Sequence, residues 1–274
     1  MFIAVVEFFE AVFKNLRTIW RLSLHQAFTH NKDTKLGFLW NFLSPLLLAL
    51  VYWLVFGIGF KNGSAFFIGE DVSYSYLSWM FSGIFPFFYF RANINDGINA
   101  VYSKYVLVSR AGFPVVILPV VAMITNFLIY LPTFLMPIIQ LIISGDFSFG
   151  PNIFLFFYFS VASVFHFIAV SLVLSALGML SRDFSRIMRP VIRMLMYFSP
   201  VVWSFGGLSD QFAAVLKYNP LYYLFELFRG SFLNDYPINL SMSLYFWIFT
   251  LVVFIIGCFL HYKNKDKYYT LATR

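Results

Sequence analysis

S-R-D-F-S-R-I-M-R-P (Ser181–Pro190), F-S-P-V-V-W-S (Phe198–Ser204) and N-P-L-Y-Y-L-F-E-L-F-R-G (Asn219–Gly230) follow one another closely, and reading them decides the fold. A basic elbow leads into one short apolar run. A second apolar run then ends on Glu226 and Arg229. This second run is not a full crossing if the basic residues flanking the apolar runs are to share one face of a membrane. An apolar hairpin that enters and leaves a bilayer from one side is tolerated only where protein or a water-filled cavity surrounds it. Such a hairpin points to a transport pathway.

The rest of the chain agrees. Hydrophobic residues make up 61% of its 274 residues and charged ones 11%, the composition of a polytopic membrane protein. Runs long enough to cross lie at 36–60, 74–98, 113–143, 153–181, 190–206 and 243–262. Between them, the N-terminus, the loops around 91–112 and 182–193 and the C-terminal tail hold 16 of the 19 Lys and Arg. That bias puts these pieces in the cytoplasm. The +7 net charge is therefore a topology signal and not a nucleic-acid footprint. The sequence predicts an all-α membrane protein with six transmembrane helices and both termini cytoplasmic. A seventh span at 212–233 would carry Lys263, Lys265 and Lys267 outside, so a re-entrant helical hairpin is expected over about 207–235, its break suited by Pro220 and Gly230.

Residues 1–35 read as a separate element. Val5, Phe9, Val12, Leu16, Ile19, Trp20 and Leu24 recur at three- and four-residue spacing, with Glu10, Lys14, Arg17, Arg21 and His25 on the other faces. This is an amphipathic helix expected to lie in the cytoplasmic interface, followed by the polar turn T-H-N-K-D-T-K. The six-helix domain is then 36–262, and 263–274 is a basic cytoplasmic tail. The first residues do not read as a cleavable signal, because Glu7 and Glu10 stand where positive charge is needed. The 113–143 run exceeds what the hydrocarbon requires, which implies tilt, a kink or protrusion.

Several chemistries have no residues to carry them. The sequence contains no G-x-x-x-x-G-K-[ST] loop and no Gly-Lys pair, so ATP hydrolysis through a P-loop is excluded for this chain. His25, His30, His166 and His261 are scattered without metal-ligand spacing, so no metal site is expected. Cys258 reads as a small buried hydrophobe. His166 falls mid-span, where a hydrogen bond to a neighbouring helix is the simpler reading. Glu226 and Arg229 are three apart on one helix face and can pair. The pair either sits at the outer headgroup level or shapes the exit of a conduit.

Four blocks carry a resemblance. They are L-G-F-L-W-N-F-L-S-P-L (Leu36–Leu46); G-I-F-P-F-F-Y-F (Gly83–Phe90) with Y-S-K-Y-V-L-V-S-R-A-G-F-P (Tyr102–Pro114) and V-V-I-L-P (Val115–Pro119); the S-R-D-F-S-R elbow with F-S-P-V; and N-P-L-Y-Y-L-F-E-L-F-R-G. In order and spacing the chain resembles the transmembrane permease subunit of bacterial ABC exporters for polysaccharide, O-antigen and teichoic acid. Within them it is most similar to teichoic-acid export permeases, although Phe87 stands near where the family often carries Trp. The resemblance implies a bacterial plasma-membrane protein that works as a pair of permeases with two copies of a separate ABC ATPase. ATP and Mg would then bind to the partner, and no cofactor to this chain. It implies a coupling segment at Tyr102, Ser103, Lys104, Tyr105, Val108 and Arg110. It also implies a lateral gate between the first and fifth spans, opening to lipid for a polyprenyl-pyrophosphate-linked polymer, with wall teichoic acid the leading candidate.

Under that resemblance Trp40, Phe85, Phe87, Tyr89, Tyr197 and Trp203 are candidates for the substrate path, since aromatic faces stack on sugar rings. Lipid-facing or core packing competes for each of them. Arg17, Arg21, Lys32 and Lys35 are candidates for the carrier headgroup, and attraction to anionic membrane lipids explains them equally. Glu226 and Arg229 are the exit candidates. Rival readings are an exporter of O-antigen or capsule, an intramembrane enzyme modifying lipid-linked glycans, and a scaffold for a synthase. The enzyme would need acid, base or metal ligands clustered at one depth, and the sequence shows none.

Overall fold

A computed structural model describes residues 1–60, 66–68, 72–108, 113–147, 151–203, 210–233 and 242–272. Four helical stretches are long and apolar enough to cross a membrane: Gly37–Gly59, Ile117–Ser144, Phe154–Leu180 and Met242–Tyr268. They correspond to the first, third, fourth and sixth expected spans. The second expected span is α4 (Tyr76–Asn99), at about 1.5 Å per residue also long enough to cross. Ser78, Ser82, Asn93 and Asn95 dilute its apolar character, and most of its residues are buried within the chain.

The N-terminal element differs from the expected single helix. It is α1 (Phe2–Lys14) and α2 (Leu16–Thr29), broken at Asn15. The Asn15 amide donates back to the Ala11 carbonyl at 2.8 Å, the local competition by which Asn ends helices. The break lets α1 pack on the last helix and α2 on the third span. The first span begins as α3 (Trp40–Tyr52) and continues as a π-helical stretch to Phe60. A small antiparallel hairpin of β1 (Phe66–Ile68) and β2 (Val72–Tyr74) follows, an exception to the all-α expectation.

After α4 the chain makes a 3-10 turn (Tyr102–Lys104) and the short α5 (Tyr105–Val108). The long third run is α6 (Ile117–Tyr130) and α7 (Leu135–Ser144), joined by a 3-10 turn at Pro132–Phe134. Pro132 cannot donate to the helix ladder, which accounts for the kink. Gly145 closes α7 in the left-handed region at φ 79°, where glycine carries no Cβ penalty. The central helix is α8 (Phe154–Leu180), flanked by α4, α11 and α12. Small residues such as Ala162, Ser163, Ala169 and Ala176 are buried on it and allow close backbone approach.

The expected fifth span over 190–206 is not one helix. α9 (Arg182–Met194) begins in the basic elbow and stops, and 195–203 are turns and bends. Pro200 supplies no N–H and disfavours helical geometry at Ser199. The freed backbone groups are met by side chains: the Pro200 carbonyl by Arg229 at 2.6 Å, the Val202 carbonyl by the Tyr76 hydroxyl at 2.8 Å, and the Phe198 carbonyl by Asn219 at 3.4 Å. This is the condition for non-helical backbone at membrane depth. Two short helices follow, α10 (Asp210–Lys217) and α11 (Pro220–Phe232). Asn219 caps α11 by accepting from the Leu221 N–H at 3.1 Å, with Pro220 at the first helical position. At about 20 Å or less each, neither helix spans a hydrocarbon core of about 30 Å.

The last helix, α12 (Met242–Ala272), runs straight through the boundary expected at residue 263. Lys265 on it meets Glu7 of α1 at 3.7 Å. His166 of α8 shares a 2.9 Å hydrogen bond with Thr250 of α12, and His261 lies 3.1 Å from both the Ser175 hydroxyl and the Leu172 carbonyl.

Candidate substrate cleft and coupling segment

One face of each of three helices, with Ile129 and Tyr130 at the end of α6, surrounds a cleft of about 760 Å³. From α3 come Trp40, Asn41, Ser44, Pro45 and Leu48, at the spacing of a single helix face. From α4 come Phe88, Arg91, Ala92, Asn95 and Asp96, again one face. From α9 come Arg189, Ile192 and Arg193. His30 and Asn31, in the turn after α2, close one end. Asn31 has positive φ, 62°, and its amide donates to the Asn41 side-chain oxygen at 2.9 Å. A second cavity, of about 480 Å³, shares His30, Asn31, Asp96 and Ile129 with the first. It extends along α2 and α6 to Ser103 and Lys104.

The coupling candidates form a compact projection. Val101 and Val108 are buried against Val115, Leu118, Ala176 and Tyr268, which anchors the segment on α8 and α12. Tyr102, Ser103 and Val106 are exposed and Lys104 is half-buried. Tyr105 falls in α5, and Arg110 lies outside the described residues.

The path candidates separate. Trp40 lines the cleft. Tyr197 is exposed, and Trp203 is half-buried with its indole N–H donating to the Tyr197 carbonyl at 3.2 Å. Phe85, Phe87 and Tyr89 are instead buried in the core of the chain. Tyr89, for example, packs edge-on to Phe134 and Phe167. The cleft side of α4 carries Phe88, Arg91 and Asn95, and the spacing of Arg91, Asn95 and Asp96 at the end of an apolar run was the signal for it.

Arg229 is fully buried. Its guanidinium lies 3.5 Å from the centre of the Trp79 ring and donates to the Trp79 and Pro200 carbonyls, with Ser82 at 3.4 Å. Glu226 is nearly as buried. The carrier-headgroup candidates Arg17, Arg21, Lys32 and Lys35 are all exposed, and none lines the cleft.

Residues 18–233 match the model of the ABC-2 type transporter family. The chain belongs to this family. An O-antigen export system permease protein RfbA of Klebsiella pneumoniae is 21% identical over 86% of this chain and 87% of its own length. One from Myxococcus xanthus is 24% identical over 72% and 73%. The polysialic acid transport protein KpsM of Escherichia coli is 21% identical over 91% and 94%. As an ABC-2 permease subunit the chain is a multi-pass protein of the bacterial plasma membrane, and ATP hydrolysis belongs to a separate chain.

Proposed function

We propose that this chain is the membrane half of an ATP-driven exporter that moves a polyprenyl-pyrophosphate-linked cell-surface polysaccharide outward. The observation that carries the reading is end-to-end similarity to permeases named for O-antigen export and polysialic acid transport. Those names favour O-antigen or capsular polysaccharide over the wall teichoic acid expected from sequence. Two copies of the chain pair with two ATPase chains that bind ATP and Mg. The exposed Tyr102–Val108 projection docks into the ATPase, supported by its anchoring on α8 and α12. Trp40, Tyr197 and Trp203 border the path. Arg17, Arg21, Lys32 and Lys35 hold anionic bilayer lipids.

The expected topology is kept: six passages, α10 and α11 re-entering from the outer face, and both termini cytoplasmic. The Glu7–Lys265 contact supports terminal segments on one side. On the outer side α11, with Glu226 and Arg229, shapes the exit through the non-helical segment that Arg229 holds. A cysteine at Lys265 in a Cys258→Ala background should react with an impermeant thiol reagent only after permeabilisation. External labelling would overturn the topology.

Deleting the chain from its host should strip the polysaccharide from the cell surface and leave lipid-linked polymer inside. Co-expression of the chain with its ATPase should restore display. Unchanged surface polysaccharide in the deletion strain would sink the assignment. Reversing Lys104 and Arg110 together to Glu should abolish transport or release the ATPase while the helices still insert. Normal export by that variant would remove the coupling role.

A further inference from the structure

We propose that the cleft between α3, α4 and α9 binds the pyrophosphate of the lipid carrier through Arg91, Arg189 and Arg193. This rests on the export reading above and names the chemistry its site selects. Arg189 and Arg193 are one turn apart on α9, and Arg91 faces the same cavity from α4. Among the described residues none of the three makes an ion pair or a hydrogen bond. Arg186, one turn before Arg189 on the same side of α9 but not among the residues lining the cleft, is by contrast 3.4 Å from Asp183. Three cations gathered in one cavity with Asp96 as the single carboxylate among its lining residues repel one another, and a bound anion relieves that repulsion.

A second observation points to a ligand. Asn41 is 7% exposed, lines the cleft, and has a buried side-chain N–H group without an acceptor among the described residues. Buried donors are nearly always satisfied, so an orphan in a cavity wall marks a place for an acceptor. Guanidinium groups present planar forks that match phosphate oxygens.

Charge sets the class of anion. Three guanidiniums opposed by Asp96 leave two positive charges. A pyrophosphate esterified at both ends carries two negative charges, whereas the phosphodiester of phosphatidylglycerol carries one. The volume is in the range of about 300–1,000 Å³ that holds small ligands, enough for the pyrophosphate and its first sugar beside Trp40 and Asn95. Beyond the cleft, the first span exposes Leu47 and Leu50 on α3 and Leu54 on the π-helical stretch after it, where a prenyl tail leaving the cavity meets lipid. The surface cations Arg17, Arg21, Lys32 and Lys35 take no part.

The test uses the permease–ATPase complex in phosphatidylcholine nanodiscs, titrated with a long-chain polyprenyl pyrophosphate esterified to one sugar at its other end, the matching polyprenyl monophosphate sugar and phosphatidylglycerol, with binding read by native mass spectrometry. The pyrophosphate should bind about tenfold more tightly than either alternative, and each of Arg91→Gln, Arg189→Gln and Arg193→Gln should weaken it about tenfold. Arg186→Gln should leave binding within about twofold, because Arg186 lies outside the cleft. The Arg91→Lys, Arg189→Lys, Arg193→Lys variant keeps the charge and should bind more tightly than the triple Gln variant, which separates lost recognition from lost folding. Parent-like binding by the triple Gln variant overturns the proposal. So does a parent that takes phosphatidylglycerol as tightly as pyrophosphate, which would make the cleft a general lipid site. The titration requires no transport, so a failure of the export reading is seen separately, as unchanged surface polysaccharide in the deletion strain.

Discussion

The first span and α8 are equally apolar, yet the chain buries 11% of the most apolar window of the first and 56% of that of the second. Hydropathy measures what a helix can tolerate, not what covers it. α8 carries small residues where α4 and α12 approach. Around the first span stand Leu47, Leu50, Val51, Leu54 and Val55, all exposed. One span is held by its own chain, and the other is left to lipid, to a second copy or to the substrate. Stability should therefore follow α8 and the helices against it, and function should follow the first span.

The largest effect that sharpens this contrast is expected at Gly178. A Cβ there would collide with the Ile98 carbonyl oxygen of α4. Gly178→Val should cost about 3 kcal/mol or prevent folding, read as lost monodisperse protein and a lowered melting temperature in detergent. Parent-like melting would show that close backbone contact is not what fixes α8. Next comes Arg229→Ala, expected to cost about 3 kcal/mol, because it leaves the Pro200 carbonyl and the Trp79 face uncovered. Arg229→Lys should restore only part of this, since an ammonium is a point charge without the planar fork.

His166→Leu should cost about 1 kcal/mol by removing the interhelical bond to Thr250. A double cycle with Thr250→Val measures that coupling, and additive losses would mean the bond contributes nothing. The smallest change should come from the first span: Leu47→Ala with Leu54→Ala should move melting by less than about 0.5 kcal/mol. A loss as large as that at Gly178 would break the comparison.

Much of this contrast was invisible in the sequence, for particular reasons. Apolar runs and the placement of Lys and Arg located four of the crossings, because length and charge are additive along a chain. The face of α4 was not readable from its aromatics. With 22% aromatic residues, rings occur on every side, so Phe85 and Tyr89 in the core looked no different from Phe88 in the cleft. Arg91, Arg189 and Arg193 were legible as topology signals, but their convergence depends on three helices meeting. Asn15 was hidden inside an unbroken amphipathic period. Ser199-Pro200 did announce a break, but the side-chain donors that meet its carbonyls lie elsewhere: Tyr76 is 126 residues before Val202, and Arg229 is in a helix 29 residues after Pro200.

The same side-chain bonds give α4 a mechanical character. At one end of this helix Tyr76, Trp79 and Ser82 are fastened to the turn at Pro200–Val202 and to Arg229 of α11. At its other end the chain passes directly into the Tyr102–Val108 projection. α4 is thus a rod of about 36 Å clamped at one tip and continued at the other into an exposed segment. Gly83 sits in the clamp, with no room for a methyl group against the Val201 carbonyl. The one soft joint along the rod is Pro86, where a helix N–H is missing. Any displacement of the Tyr102–Val108 segment therefore reaches α11 as movement of a single stiff body, bent at most at that joint.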